Sequence, residues 1–136
     1  MCTFESRVPG HLLFSRVALG KKMGLIYEIT GTKGALRFDQ EDQNALWLYK
    51  KEGSPEQSGF RKILSNPRHP DYAGFCQGPG HGTGYQDQLI IEARDFLEAI
   101  ATGTTRWPTF KDGLQVAKVI NAARTSQKTG RWVDVD

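Results

Sequence analysis

The segment GPGHGTGYQD, residues 78–87, places four glycines at alternate positions around His81, just before an apolar run of helical period. Three chemistries could use such a segment. A phosphate cradle needs G-x-G-x-x-G directly after a strand and opening a helix, so that backbone amides can approach a pyrophosphate. Here the sixth position counted from Gly78 is Thr83 and from Gly80 is Tyr85, and the preceding DYAGFC is no convincing strand. A metal site would draw on His81 and Asp87, with Cys76 and His69 further off, but the close paired spacing typical of zinc ligands is missing. Nucleophilic catalysis needs a base beside the nucleophile, and neither Ser15, Ser65 nor either cysteine has a histidine at a motif spacing. Two readings stay open. The segment is a flexible loop with a solvent-exposed histidine, or it is a loop whose imidazole and helix-terminal amides hydrogen-bond a hydroxyl-rich small molecule.

The elements that must position this loop follow from periodicity. Residues 3–8 read as a short strand, Pro9-Gly10 as a turn, and HLLFSRVAL (residues 11–19) as a longer strand. Residues 20–24 turn the chain into LIYEITG, and Thr32-Lys33-Gly34 connects it tightly to ALRFD, with Gly34 suited to a positive φ. ALWLYK (45–50) and GFRKIL (59–64) follow as strands, and the short links favour antiparallel pairing. Residues 65–86, with three prolines and the glycine cluster, break the pattern and form a long loop of a functional or mobile kind.

Two helices come next. In the first, Asp87 is the expected N-cap, Leu89, Ala93, Phe96 and Ile100 share one face, and Gly103 ends it. In the second, Thr109 and Asp112 make a capping box, Val116, Val119, Ile120 and Ala123 form the stripe, and Gly130 stops it. RWVDV (131–135) is expected to return to the sheet as a strand. The result is an α+β domain spanning residues 1–136: about six strands of mostly antiparallel, open-faced sheet, with two helices packed on one face. Leu12, Phe14 and Ala18 alternate with Leu13, Val17 and Leu19, and Trp47 and Tyr49 with Leu46 and Leu48, so both sheet faces read as bulky. The uncovered face is expected to meet a second copy of the chain through Phe14, Trp47 and Tyr49.

Composition narrows the partners. Hydrophobic residues make up 38% and charged residues 24%, which suits a globular domain and not a disordered one. The formal net charge is +3, without a run of five like charges or an aromatic-interleaved basic stripe, so nucleic acid is not an expected partner. No apolar run reaches the ~18 residues of a membrane span. Cys2 and Cys76 lack C-x-x-C spacing, which favours a reduced, cytoplasmic protein.

Three stretches in order, SRVALGKKMGLIYEITGTKGALRFDQED, PGHGTGYQDQLIIEARDFLEAI and WPTFKDGLQVAKVINAARTSQKTGRWVDV, resemble the C-terminal domain of the glucose–fructose oxidoreductase, inositol dehydrogenase and rhizopine-catabolism (Gfo/Idh/MocA) family. The resemblance covers nearly the whole chain. It implies an NAD(P)-dependent oxidoreductase acting on a sugar or polyol, whose sheet makes the oligomer contact and whose Rossmann domain lies N-terminal to the sheet. That Rossmann domain and the family's catalytic lysine, aspartate and histidine have no counterpart in these residues. No cofactor binding by this chain alone and no catalytic residue are therefore expected; NAD or NADP belongs to the full-length enzyme. By the resemblance, His81, Gly84 and Tyr85 match the loop approaching the substrate. Arg16 and Lys21 match basic positions on the second strand and its turn, read more as interface or surface residues than as sugar contacts, with Arg16 kept as a candidate substrate-binding residue. Glu28, Gly31, Thr32, Lys33 and Gly34 match a structural strand–turn–strand signature. The alternative is a stand-alone small-molecule-binding or assembly module without catalysis.

Overall fold

A computed structural model describes residues 1–135. The chain divides into two compact units, Met1–Gly82 and a second from Thr83 onward. Among the described residues, the first holds six strands, β1 (Cys2–Thr3), β2 (Pro9–Gly10), β3 (Ile26–Thr30), β4 (Gly34–Asp39), β5 (Ala45–Lys50) and β6 (Arg61–Leu64). The second holds helices α1 (Tyr85–Thr102) and α2 (Phe110–Thr129). The class is α+β, and every strand pairing is antiparallel.

The strands form two sheets, a β1-β2 ribbon and a β3-β4-β5-β6 meander. The meander follows from its short connections, because neighbouring strands joined by a few residues pair before distant ones can compete. Gly34 begins β4 at the tightest of these connections, and it is not among the glycines with positive φ. Its constraint is instead close approach, since a Cβ there would overlap the carbonyl oxygen of Tyr49 on β5.

Register separates the two faces more cleanly than alternation along single strands suggests. Tyr27, Phe38, Leu46 and Ile63 stand in one cross-strand row, and Ile29, Leu36 and Leu48 in the next, ending at Arg61. Tyr27 and Phe38 also touch as rings, with centroids 5.2 Å apart. The opposite face carries the row Glu28, Arg37, Trp47 and Lys62. One face is thus apolar, and the other mixes charge with aromatic rings.

Three expected strands differ. Residues 3–8 contribute only Thr3 to a strand, and residues 4–8 make the turn instead, with Arg7 at φ 61°. Pro9-Gly10, expected as the turn, is β2 itself. Residues 11–19 form no strand, so their alternation does not sort onto two faces. Local bonds form here and just after it: the Ser15 hydroxyl accepts the Val17 N–H at 3.3 Å, and Lys21 N–H bonds back to the Ala18 carbonyl at 3.4 Å. Such side-chain and turn bonds take donors that a ladder would need. Residues 131–135 likewise form no strand, and the Arg131 carbonyl accepts a 2.7 Å bond from the Ser126 hydroxyl on α2.

What anchors the segment before β3 is Glu41. Its carboxylate accepts the backbone N–H groups of Lys22 (2.6 Å) and Met23 (3.1 Å), and it pairs with the Lys21 ammonium at 3.5 Å. The Lys22 and Met23 amides, then Lys21, hold the Glu41 carboxyl below its ordinary value of 4.5. A carboxyl whose pKa is lower folded than unfolded adds stability above its unfolded pKa and loses it as pH falls through the folded one. Glu41→Gln should therefore flatten the fall in stability on acidification below pH 4.5. Urea melts at stepped pH check this, and identical pH profiles for the two proteins would contradict it.

In the second unit the helix signals are largely where sequence places them. Thr109 caps α2, its hydroxyl accepting the Asp112 N–H at 3.4 Å while the Asp112 carboxylate accepts the Thr109 N–H at 2.8 Å. The Thr109 hydroxyl and amide lower the Asp112 carboxyl. Gly103 and Gly130 end the helices in the left-handed region, at φ 65° and 67°. At α1 the N-cap is Gly84, not Asp87, which lies at the third helical position and reaches back to accept the Gly84 N–H at 2.7 Å.

Candidate functional site

The most enclosed residues of the first unit are Ala45, Ser65 and Cys76, all less than 9% exposed. They mark the place where β5 begins, β6 ends and the long loop folds back. Ser65 N–H bonds to the Asn44 carbonyl at 2.9 Å, and the Ser65 hydroxyl to the Asn44 side-chain oxygen at 3.2 Å. The Ser65 carbonyl then accepts the Gly80 N–H at 3.2 Å, tying the glycine run to the end of β6.

Within the loop, side chains and short turns supply order. Asn66 oxygen accepts the Arg68 N–H at 2.9 Å, and Asn66 N–H donates to His69 Nδ1 at 3.1 Å. His69 is therefore a backbone clamp, standing edge-on to the Tyr72 ring. Tyr72 begins a short 3₁₀ turn, and its carbonyl accepts the N–H groups of Phe75 and Cys76. The segment, expected to be of a functional or mobile kind, is held at several points along its length.

His81 lies at the end of this unit. Its N–H bonds to the Gly78 carbonyl at 3.1 Å and its carbonyl meets Cys76 Sγ at 2.7 Å, while the residue is exposed. The backbone is fixed and the imidazole is presented to solvent, an arrangement suited to hydrogen-bonding a polar ligand. Gly84 and Tyr85 open the second unit as N-cap and first residue of α1, and Tyr85 is 54% exposed. Arg16 is exposed in the irregular stretch 11–19.

Of the expected interface residues, Trp47 and Tyr49 share the mixed face. Lys62 Nζ sits 5.6 Å from the Trp47 ring centre and 2.8 Å from the Asp42 carboxylate. Tyr49 contacts Phe60 at 6.1 Å between ring centres. Phe14 is outside the sheet and 75% exposed. An open groove of ≈ 800 Å³ lies at the β3–β4 end, lined by Ile29, Thr32, Lys33, Leu48, Tyr49 and Lys51 among others. It contains no residue of the His81 loop, while Thr32, Lys33 and Gly34 of the turn signature are among its lining residues.

The glycine run does not follow a strand, as a dinucleotide fingerprint would. What precedes it is the 3₁₀ turn at Tyr72–Gly74. At the helix it leads into, the Asp87 carboxylate already occupies the Gly84 N–H, and a second anion there would be repelled. Both cysteines are free thiols, and no group of three or more His, Cys, Asp or Glu side chains among the described residues is placed to hold a metal. No helix among the described residues is long and apolar enough to cross a membrane.

Sequence reasoning missed Asn44, which sits 21 residues from Ser65 and carries no motif. It weighed Cys76 as a metal ligand, a nucleophile and a thiol without a C-x-x-C partner, whereas the thiol contacts the backbone of its own loop.

Comparison with known proteins places the chain. The family model described as the oxidoreductase family, C-terminal alpha/beta domain, matches residues 2–135. The levoglucosan dehydrogenase of Pseudarthrobacter phenanthrenivorans is 36% identical over 135 residues, covering 99% of this chain and 35% of that protein. An NAD binding oxidoreductase from Klebsiella pneumoniae superposes with a TM-score of 0.89 at 34% identity, covering 98% of this chain and 36% of that one. A levoglucosan dehydrogenase in complex with NADH and levoglucosan superposes with a TM-score of 0.84 at 37% identity, covering 89% and 33%. The chain thus spans about a third of the length of each relative.

Proposed function

The chain belongs to the Gfo/Idh/MocA oxidoreductase family as its C-terminal α/β domain, and from that premise we propose that it forms the sugar-facing and oligomerising part of an NAD(P)-dependent sugar or polyol dehydrogenase. Hydride transfer requires the nicotinamide to be held against the substrate carbon. These residues offer no dinucleotide cradle, so the cofactor is supplied by a separate nicotinamide-binding domain and the 136-residue chain is inactive alone. His81, Gly84 and Tyr85 face the sugar in the complete enzyme, with Arg16 at its margin. The observation that carries this reading is the His81 loop: an exposed imidazole on a backbone fixed by Ser65 and Cys76. A preset donor or acceptor of this kind suits a hydroxyl-rich ligand. Relatives in this family act on such a molecule by name, levoglucosan, with NADH.

Calorimetric titration of NAD, NADH, NADP and NADPH into the chain tests where the cofactor binds. No saturable heat is expected at millimolar nucleotide, and micromolar binding of any of the four would overturn the reading.

The mixed sheet face, with Glu28, Arg37, Trp47, Tyr49 and Lys62, is the proposed contact between copies, extended by Phe14. Aromatic and Arg side chains are enriched where proteins meet, and a twofold pairing would let Glu28 and Arg37 of one copy meet their opposites in the other. Light scattering at micromolar concentration should give at least twice the monomer mass of 15.2 kDa. A clean monomer would contradict the oligomer role and leave the sugar reading to be tested by kinetics.

A further inference from the structure

We propose that Cys76 is a positioning residue for His81, its thiol acting as a hydrogen-bond latch that keeps the glycine-rich loop in one preformed geometry. Cys76 is wholly buried, and its Sγ lies 3.0 Å from the Gly78 carbonyl and 2.7 Å from the His81 carbonyl. A thiol carries a single proton, which it can donate to either carbonyl or share between the two. The Gly78 carbonyl also accepts the His81 N–H at 3.1 Å, which makes the latch and the turn one network.

A second brace acts from the other side of His81. A Cβ on Gly82 would meet Asn44 Nδ2 at 2.7 Å and Cγ at 2.9 Å, so the Asn44 carboxamide rests directly on the Gly82 backbone. Asn44 is itself tied to Ser65, whose carbonyl holds Gly80. The backbone on both sides of His81 is thereby fixed to the start of β5 and the end of β6, while the imidazole stays exposed. A loop of glycines would otherwise lose much of its binding free energy to ordering when a ligand arrives. The latch removes that loss in advance. Its functional consequence rests on the reading of His81 as sugar-facing; the bracing itself does not.

The test is amide hydrogen exchange on the 136-residue chain. Cys76→Val removes the donor in a somewhat larger side chain, and Cys76→Ser keeps a donor in a smaller one. Exchange at the Gly80 and His81 amides should accelerate about tenfold in Cys76→Val and stay within about threefold of wild type in Cys76→Ser, with the β4 and β5 amides unchanged in both. If Cys76→Val unfolds the chain, Cys76→Ala provides the donor-free comparison. Equal behaviour of the Ser and donor-free variants would make Cys76 a core filler and overturn the proposal. Acceleration spread evenly over β4 and β5 would overturn it too. Failure of the sugar reading would register elsewhere, as an unchanged kcat/KM for His81→Ala in the complete enzyme.

Discussion

Gly34→Ala should destabilise the chain by about 3 kcal/mol, the cost of forcing a methyl group into a packed backbone contact. The Cβ would overlap the Tyr49 carbonyl oxygen and come within 3.4 Å of its carbon and 3.5 Å of the Lys50 Cα. These are backbone atoms of the paired strand, so no rotamer change relieves the overlap. The β4–β5 ladder must open where Gly34 faces Lys50 and Ala35 faces Tyr49. Gly31, three residues earlier in the same signature, is the control. An added Cβ there meets only the Gly34 carbonyl, at 3.7 Å, an ordinary contact, and its φ is not positive. Gly31→Ala should therefore cost less than about 1 kcal/mol. Urea unfolding of both variants measures the difference. A Gly34→Ala protein within about 0.5 kcal/mol of wild type would show that the strands separate freely at this point.

The same residue shows what sequence could and could not disclose. Thr32-Lys33-Gly34 is legible as a tight connection because glycine after a polar pair is a strong turn signal. The reason for glycine is not legible: the expectation was a positive φ, and the structure shows crowding against a strand fifteen residues away (Gly34 to Tyr49). The helices are legible almost to their ends, because the Thr109–Asp112 box and the terminal glycines act within a single turn of chain. At α1 the cap moved to Gly84 because a carboxylate can cap from inside the helix as well as from in front of it.

Residues 11–19 have the composition of a strand, yet a strand exists only where a partner takes its hydrogen bonds. Ser15 diverts one donor locally, and no alternation of Leu12, Phe14 and Ala18 can reveal that. Face polarity was obscured for a similar reason. Read singly, the 45–50 strand is bulky on both sides; paired through Arg37 and Lys62, Trp47 proves to belong to a charged row. At the His81 loop, glycine and proline content signals mobility, while the braces that oppose it come from Asn44 and from a cysteine with no motif around it. The family resemblance supplied the substrate assignment of His81, Gly84 and Tyr85; the residues alone left a flexible loop equally open.

His81→Ala should lower kcat/KM for the sugar roughly 10- to 100-fold in the enzyme that joins this domain to its nicotinamide-binding domain, the loss of one hydrogen bond to a buried hydroxyl worth ~1.5–3 kcal/mol. Stability should hardly change. The imidazole is exposed, and the bonds that fix the loop are made by the His81 backbone, which alanine keeps. Affinity for the dinucleotide should also be preserved, because the substitution is proposed to act on the sugar side of the site. Steady-state kinetics with the sugar as varied substrate, run beside thermal melts of the same two proteins, is the most direct measurement of the central claim that this domain supplies the sugar-facing side of the site. The account predicts a kcat/KM lowered by at least about tenfold with a melting temperature within ~2 °C of wild type. An unchanged kcat/KM, or a loss matched by a collapse in melting temperature, would make His81 a surface or structural residue and contradict it.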